Sequence, residues 1–181
     1  VQFSGQGSAG EVAPLLNMNV NGTSTSIYQI PPRSAVRMAT PNAGTVVQVG
    51  SVRVTPDAAS SAPAAFAIFS FRNGGITLTD AGVPALQSGT AFQIYMESTG
   101  VLGQIRSVQT GLAIANPSLS PVAVDLAVTK LDGTSTGLST SLSIPSGGQI
   151  ARFTNELFPN LPAAFQGIVT LTAAAPVAVT G

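Results

Sequence analysis

Apolar residues along this chain recur at every second position rather than at helical spacing. The clearest stretch is 122–131, where Val122, Val124, Leu126 and Val128 alternate with Ala123, Asp125, Ala127 and Thr129. A period of two sends successive side chains to opposite faces, so this segment reads as a strand with one buried and one wetter face. Comparable β-branched and aromatic runs occupy 26–30, 35–39, 45–55, 65–71, 76–79, 91–97, 107–115, 140–144, 149–154, 167–172 and 177–180, punctuated by Gly, Pro, Asn and Asp. That spacing predicts an all-β chain of short strands. Asn73-Gly74-Gly75 supplies the positive φ angles of a tight hairpin. A single helical turn within 155–161 is the only helix expected.

The runs also repeat. Asn21-Gly22-Thr23-Ser24-Thr25 matches Asp132-Gly133-Thr134-Ser135-Thr136, and Ile30-Pro31 matches Ile144-Pro145. The segment at 48–55 matches 165–172, and Pro63-Ala64-Ala65-Phe66 matches Pro176-Val177-Ala178-Val179, in the same order, at offsets of about 111 to 117 positions. The drift in offset is what loop insertions between equivalent strands produce. The predicted architecture is therefore two tandem immunoglobulin-like β-sandwich modules from an internal duplication, with a single larger sandwich as the alternative. The first module covers 1–88 and lacks its first strand; the second covers 89–181 and lacks its last hairpin. Leu86-Gln87-Ser88-Gly89-Thr90 has linker character. A duplication further predicts that Gly50 and Gly167 occupy equivalent strands, that the turns at Asn21-Gly22 and Asp132-Gly133 correspond, and that a bulge falls within 15–20, where the alternation slips by one residue.

Charge is scarce. Charged residues make up 8% of the chain, and 7 Lys+Arg balance 7 Asp+Glu. No electrostatic field exists to steer a nucleic acid or an anionic membrane, and little self-repulsion opposes association. No run approaches the roughly 18 apolar residues of a membrane-spanning helix. The residues replacing charge are Ser, Thr, Gly, Ala, Asn and Gln, a composition that points to a secreted bacterial surface protein.

The chemical inventory is equally thin. With no His and no Cys, a Ser-His-Asp triad, a cysteine nucleophile and a thiolate metal site are all excluded. The carboxylates Glu11, Asp57, Asp80, Glu97, Asp125, Asp132 and Glu156 are dispersed. Asp80-Ala81-Gly82 and Asp132-Gly133-Thr134 each offer one carboxylate where calcium needs several oxygens, so both aspartates read as turn formers. No cofactor or metal, and no enzymatic activity, is expected. Asn21-Gly22-Thr23 is a glycosylation sequon, although turn formation explains it equally well. Isolated arginines, with Arg37 and Arg53 on adjacent expected strands, read as edge guards. Tyr28 and Tyr95 are the tyrosines of the chain, and an exposed ring at either position could stack on a sugar. The phenylalanines read as core, with Phe66, Phe69 and Phe71 crowded in one strand.

Gly111-Leu112-Ala113-Ile114-Ala115-Asn116-Pro117-Ser118, Leu131-Asp132-Gly133-Thr134, Phe165-Gln166-Gly167 and the stretch from Phe69-Ser70-Phe71 to Asp80-Ala81-Gly82-Val83-Pro84-Ala85 resemble tandem β-sandwich repeats of large secreted or cell-surface proteins of environmental bacteria. The resemblance implies location and repetition and no chemistry. The functional expectation is a structural module of an extracellular surface fibre or filament, with an adhesin or a carbohydrate- or protein-binding module as the rival. Complementary deficits at the two ends suggest self-association by strand donation, with Val1, Gln2 and Phe3 of one copy lying beside Val177 and Val179 of the next.

Overall fold

The computed structural model describes residues 1–13, 27–40, 49–74, 76–101 and 103–181. In chain order the elements are β1 (Gln2–Gln6), β2 (Val12–Ala13), β3 (Gly50–Arg53), β4 (Phe66–Asn73), β5 (Ile76–Pro84), β6 (Gly89–Thr99), β7 (Val108–Gln109), β8 (Gly111–Ala115), β9 (Val122–Lys130), β10 (Ser135–Ile144), β11 (Gln149–Phe153), α1 (Thr154–Leu157) and β12 (Phe165–Thr180). The chain is all-β, and the one helical turn among the described residues, α1, overlaps the expected stretch and begins one residue before it. The runs at 26–30 and 35–39 are irregular where described. Asn21, the expected bulge within 15–20 and the turn at Asn21-Gly22 lie outside the described residues.

Residues 89–181 build a sandwich-like body. One layer runs β10-β9-β12-β6-β7 and the other β11-β8-β12, all pairs being antiparallel. β12 belongs to both. Its first half pairs with β6 and β9, and its last residues, Ala178 to Thr180, pair with Ala115 to Ala113 of β8. The alternation in β9 is realised as read, because Val122, Val124, Leu126 and Val128 are buried while Ala123, Asp125 and Ala127 face out. Met96, Leu112, Ile114, Ile144, Val169, Leu171, Val177 and Val179 meet them between the layers, and Leu157 and Phe158 plug one end. Fully burying such side chains contributes about 1.5–3 kcal/mol each, so this core stabilises the body.

Residues 1–88 are built differently. β1 pairs with β2 and β3 in a small sheet, and β4 and β5 form a two-stranded sheet of their own. Gly50 lies opposite Gly5 at the end of β3, whereas Gly167 lies between Met96 of β6 and Lys130 of β9 in the middle of a layer. The two glycines occupy unlike strands, so the superposition expected from the repeat is not found among the described residues. Short sequence matches preserve turn and strand propensity, and neither property specifies a strand's neighbours.

The N-terminal sheet docks on the sandwich at a strand edge. Gln149, Ala151 and Phe153 turn their N–H groups away from β8. The Gln149 N–H donates to Gly10 O at 2.8 Å, the Ala151 N–H to Gln6 Oε1 at 3.1 Å, and the Phe153 N–H to Glu156 Oε2 at 2.7 Å. The outward N–H groups of β11 are thereby satisfied without a partner strand. A Cβ at Gly148 would collide with the Gly10 carbonyl oxygen, which explains glycine there. Arg53 adds a bond from Nη1 to Pro117 O at 3.1 Å, so this arginine ties the two parts together instead of guarding an open edge.

Two outcomes follow for stability. Leu171→Ala should cost about 2–5 kcal/mol through the cavity it leaves, while Ile68→Ala on the exposed β4 should change stability by under about 0.5 kcal/mol; urea denaturation measures both. Gln6→Ala should speed hydrogen exchange at Ala151 relative to Ile150, because the Ala151 donor loses its acceptor.

Candidate functional site

Strand edges are the reactive features of this molecule, and they differ in how they are protected. On β10 the outer edge carries Ser and Thr and a register irregularity between Ser135 and Ser139 around Gly137. Bulges and polar side chains of this kind discourage further pairing. The edge of β11 is capped as described above. On β6, β7 covers only Ser98 and Thr99, and Thr110 bonds both backbone groups of Glu97. Since Glu97 faces this side, Ala91, Gln93 and Tyr95 face it too. No strand lies along them among the described residues. The open segment, Thr90-Ala91-Phe92-Gln93-Ile94-Tyr95-Met96, contains neither a charge nor a proline. Its inward side chains Phe92 and Ile94 are only partly buried at the margin of the core.

The second feature is the β4–β5 ribbon. Phe66 is paired with Pro84, Ile68 with Gly82, Phe69 with Ala81 and Ser70 with Asp80. Phe66, Ile68, Phe69, Ile76 and Leu78 are 63%, 65%, 59%, 67% and 58% exposed. The expectation that Phe66 and Phe69 are core residues is therefore corrected. Alternation gives a strand two faces, and among the described residues no second layer covers either face of this ribbon. Asp80-Ala81-Gly82 is corrected as well: these residues lie inside β5 and not in a turn, because the hairpin reverses at Asn73–Ile76.

The residues singled out from the sequence are scattered. Phe3 is buried in β1, whose residues Gln2 and Phe3 pair with Arg53 and Val52 of the same chain. Val177 and Val179 belong to the core, with the backbone there paired to Gly89 and to β8. Within one chain Gln2–Phe3 and Val177–Thr180 thus have separate partners, and the expected contact is one between copies. Tyr28 is in irregular backbone, and Tyr95 projects from β6, 53% exposed, donating its hydroxyl to Glu97 Oε2 at 3.1 Å. Partial desolvation and then the Glu97 carboxylate raise the Tyr95 pKa. Arg37 lies in an irregular segment rather than on a strand next to that of Arg53.

Asp132 behaves as a turn former. Its Oδ1 accepts the Thr134 N–H at 2.9 Å, Gly133 takes φ 83°, and the Gly133 N–H donates to Lys130 O. The Thr134 backbone and hydroxyl, with a smaller contribution from Lys130, hold the carboxyl below its ordinary range. Lys130, Leu131, Asp132, Phe165 and Gln166 line a shallow surface depression with no converging carboxylates, and no cluster of three metal-ligating side chains occurs among the described residues.

Asn116 follows β8 directly, at the head of Asn116-Pro117-Ser118. Its buried amide donates to Ser120 O, Ile144 O and Pro145 O at 2.8, 3.1 and 2.9 Å, and its Oδ1 accepts the Ser118 N–H. This one side chain ties the β8–β9 turn to the β10–β11 turn. The Asn-Pro-Ser sequence suggests a turn but cannot disclose the long-range carbonyls.

A depressed carboxyl pKa means that Asp132 contributes stability at neutral pH that is lost as pH falls through its lowered folded value. Asp132→Asn keeps an oxygen acceptor for the Thr134 N–H but removes the titrating carboxyl, so it should flatten the acid limb of the stability curve. Carbon-detected NMR titration and urea melts against pH check the lowered pKa and the flattened limb.

No protein-family model matches the chain, and no curated protein matches it. Among solved structures, the Anabaena sensory rhodopsin transducer is similar at a TM-score of 0.41 and 18% identity, over 51% of this chain and 80% of that one.

Proposed function

We propose that this chain is a non-catalytic structural module of a bacterial extracellular fibre or filament, and that it works by associating with copies of itself. The observation that carries the reading is the β4–β5 ribbon, which holds five large apolar side chains in solvent. An isolated two-stranded hairpin is marginal in water, and exposed apolar patches of this kind mark interaction surfaces. Balanced charge supports the reading, since seven cations and seven anions leave little repulsion between copies. Residues 89–181 serve in this scheme as an immunoglobulin-like body, and residues 1–88 as an extension that seals one of its edges and presents the ribbon.

Sedimentation velocity over a wide concentration range tests the proposal. The mass should rise with concentration and change little with added salt, because the contact surface carries almost no charge. A monodisperse monomer at the highest attainable concentration overturns the reading. Binding to a glycan array that is lost in Tyr95→Ala would instead favour a carbohydrate-binding module.

A further inference from the structure

Resting on that reading, we infer that strand β4 of one copy adds alongside the open outer edge of β6 in the next copy. The acceptor is a strand-shaped gap. The outward backbone groups of Ala91, Gln93 and Tyr95 have no partner strand among the described residues, and Phe92 and Ile94 lie half-covered behind them. An added strand would satisfy the backbone and extend the layer over those two side chains.

The same chain carries the matching donor. From Phe66 to Phe71, β4 reads Phe-Ala-Ile-Phe-Ser-Phe, six residues without charge or proline, against an acceptor stretch of the same character at 90–96. Both faces of the ribbon carry apolar side chains, Phe66 and Ile68 on one, with Ser70 and Asp80 beyond them, and Ala67 and Phe69 on the other, so either can lie against Phe92 and Ile94. The other ribbon strand is a poor donor. β5 contains Asp80 and ends on Pro84, which lacks an N–H.

This asymmetry also selects the neighbour over the chain itself. Only residues 85–88 separate β5 from β6, so a ribbon folding back onto its own body would bring β5, the guarded strand, to the edge. β4 reaches a β6 edge when that edge belongs to another molecule. Each face of a nine-residue ribbon measures roughly 30 by 10 Å, about 300 Å², and every interior copy would use its ribbon once and its β6 edge once. Donor and acceptor differ, so the contact is heterologous and propagates as an open filament unless it closes into a ring.

Two variants separate the halves of the contact. Gln93→Pro removes an outward N–H while sparing the ladder to β12, and Gln93→Lys places a charge at the same edge should proline disturb the strand. The double variant Ile68→Lys with Phe69→Lys disables the ribbon. Thermal melts establish that each remains folded. Each variant alone should be monomeric by light scattering at concentrations where the parent assembles. Mixed one to one, acceptor-defective and ribbon-defective chains should form a heterodimer of twice the monomer mass and nothing larger, because one intact ribbon meets one intact edge. In the parent, hydrogen exchange at Gln93 and Tyr95 should slow as concentration rises. If both Gln93 variants polymerise like the parent, or the mixture stays monomeric, the β6 edge is not the acceptor and the inference falls while self-association stands. A parent that is monomeric with Gln93 already protected has folded its ribbon back in cis, which overturns both.

Discussion

Pro176 has no backbone N–H to offer a neighbouring strand, and in β12 it falls where the ladder is interrupted. Pairing to β6 and β9 runs to Thr172 and Ala173, and resumes at Val177 against Gly89 and at Ala178 against Ala115. Between Ala173 and Val177 lie two alanines and the proline. A strand released from its neighbours over these positions can bend and leave one layer for the other. Val169 and Leu171 then face the core from the first half, and Val177 and Val179 from the second. The two layers are held together by one continuous chain segment as well as by the side chains between them, so the packing of β8 and β11 depends on where β12 turns.

Once the layers are set, the remaining structure is largely a matter of what happens at strand edges. Every exposed edge has a row of backbone groups that needs water, a side chain or another strand. The chain answers differently at each: a bulge with polar side chains on β10, and on β11 an acceptor set drawn from Gly10, Gln6 and Glu156. The N-terminal segment thus serves its own chain, with Gln6 reaching a residue 145 positions away. Among the described residues, the middle of β6 and the Phe66–Phe71 stretch of β4 are neither charged nor covered by a strand on their outer side.

The ribbon and the β6 edge are two departures from the rules that keep single domains apart in solution. A hydrophobic hairpin and an uncharged edge that no described layer or strand covers both raise the free energy of the isolated molecule. A sequence that retains both on one chain is consistent with burying both in an assembly. β11 and β10 show the contrast, the first with its outward N–H groups accepted by Gly10, Gln6 and Glu156 and the second with a polar, bulged edge.

Much of the local structure was legible from residue order. The alternation in β9 follows from a period of two that only a pleated strand satisfies, and the Asp132-Gly133 turn follows from a carboxylate accepting the amide two residues on. The all-β class and the helical turn at α1 were readable for similar reasons, since they depend on neighbours within a few positions. Pairing was not legible. The runs at 167–172 and 177–180 read as two strands and are one, because whether a proline ends a strand or bends it depends on which layers wait on either side. Phe66 and Phe69 look like core in any local window, and only the lack of a facing layer makes them surface. The ordered matches between the two halves kept turn and strand propensities, while the neighbours of Gly50 and Gly167 were decided by long-range contacts. What sequence alone determined is therefore the set of strands and turns. The tertiary structure decided which edges are closed and which apolar faces stay uncovered, because both depend on what long-range packing brings alongside each strand.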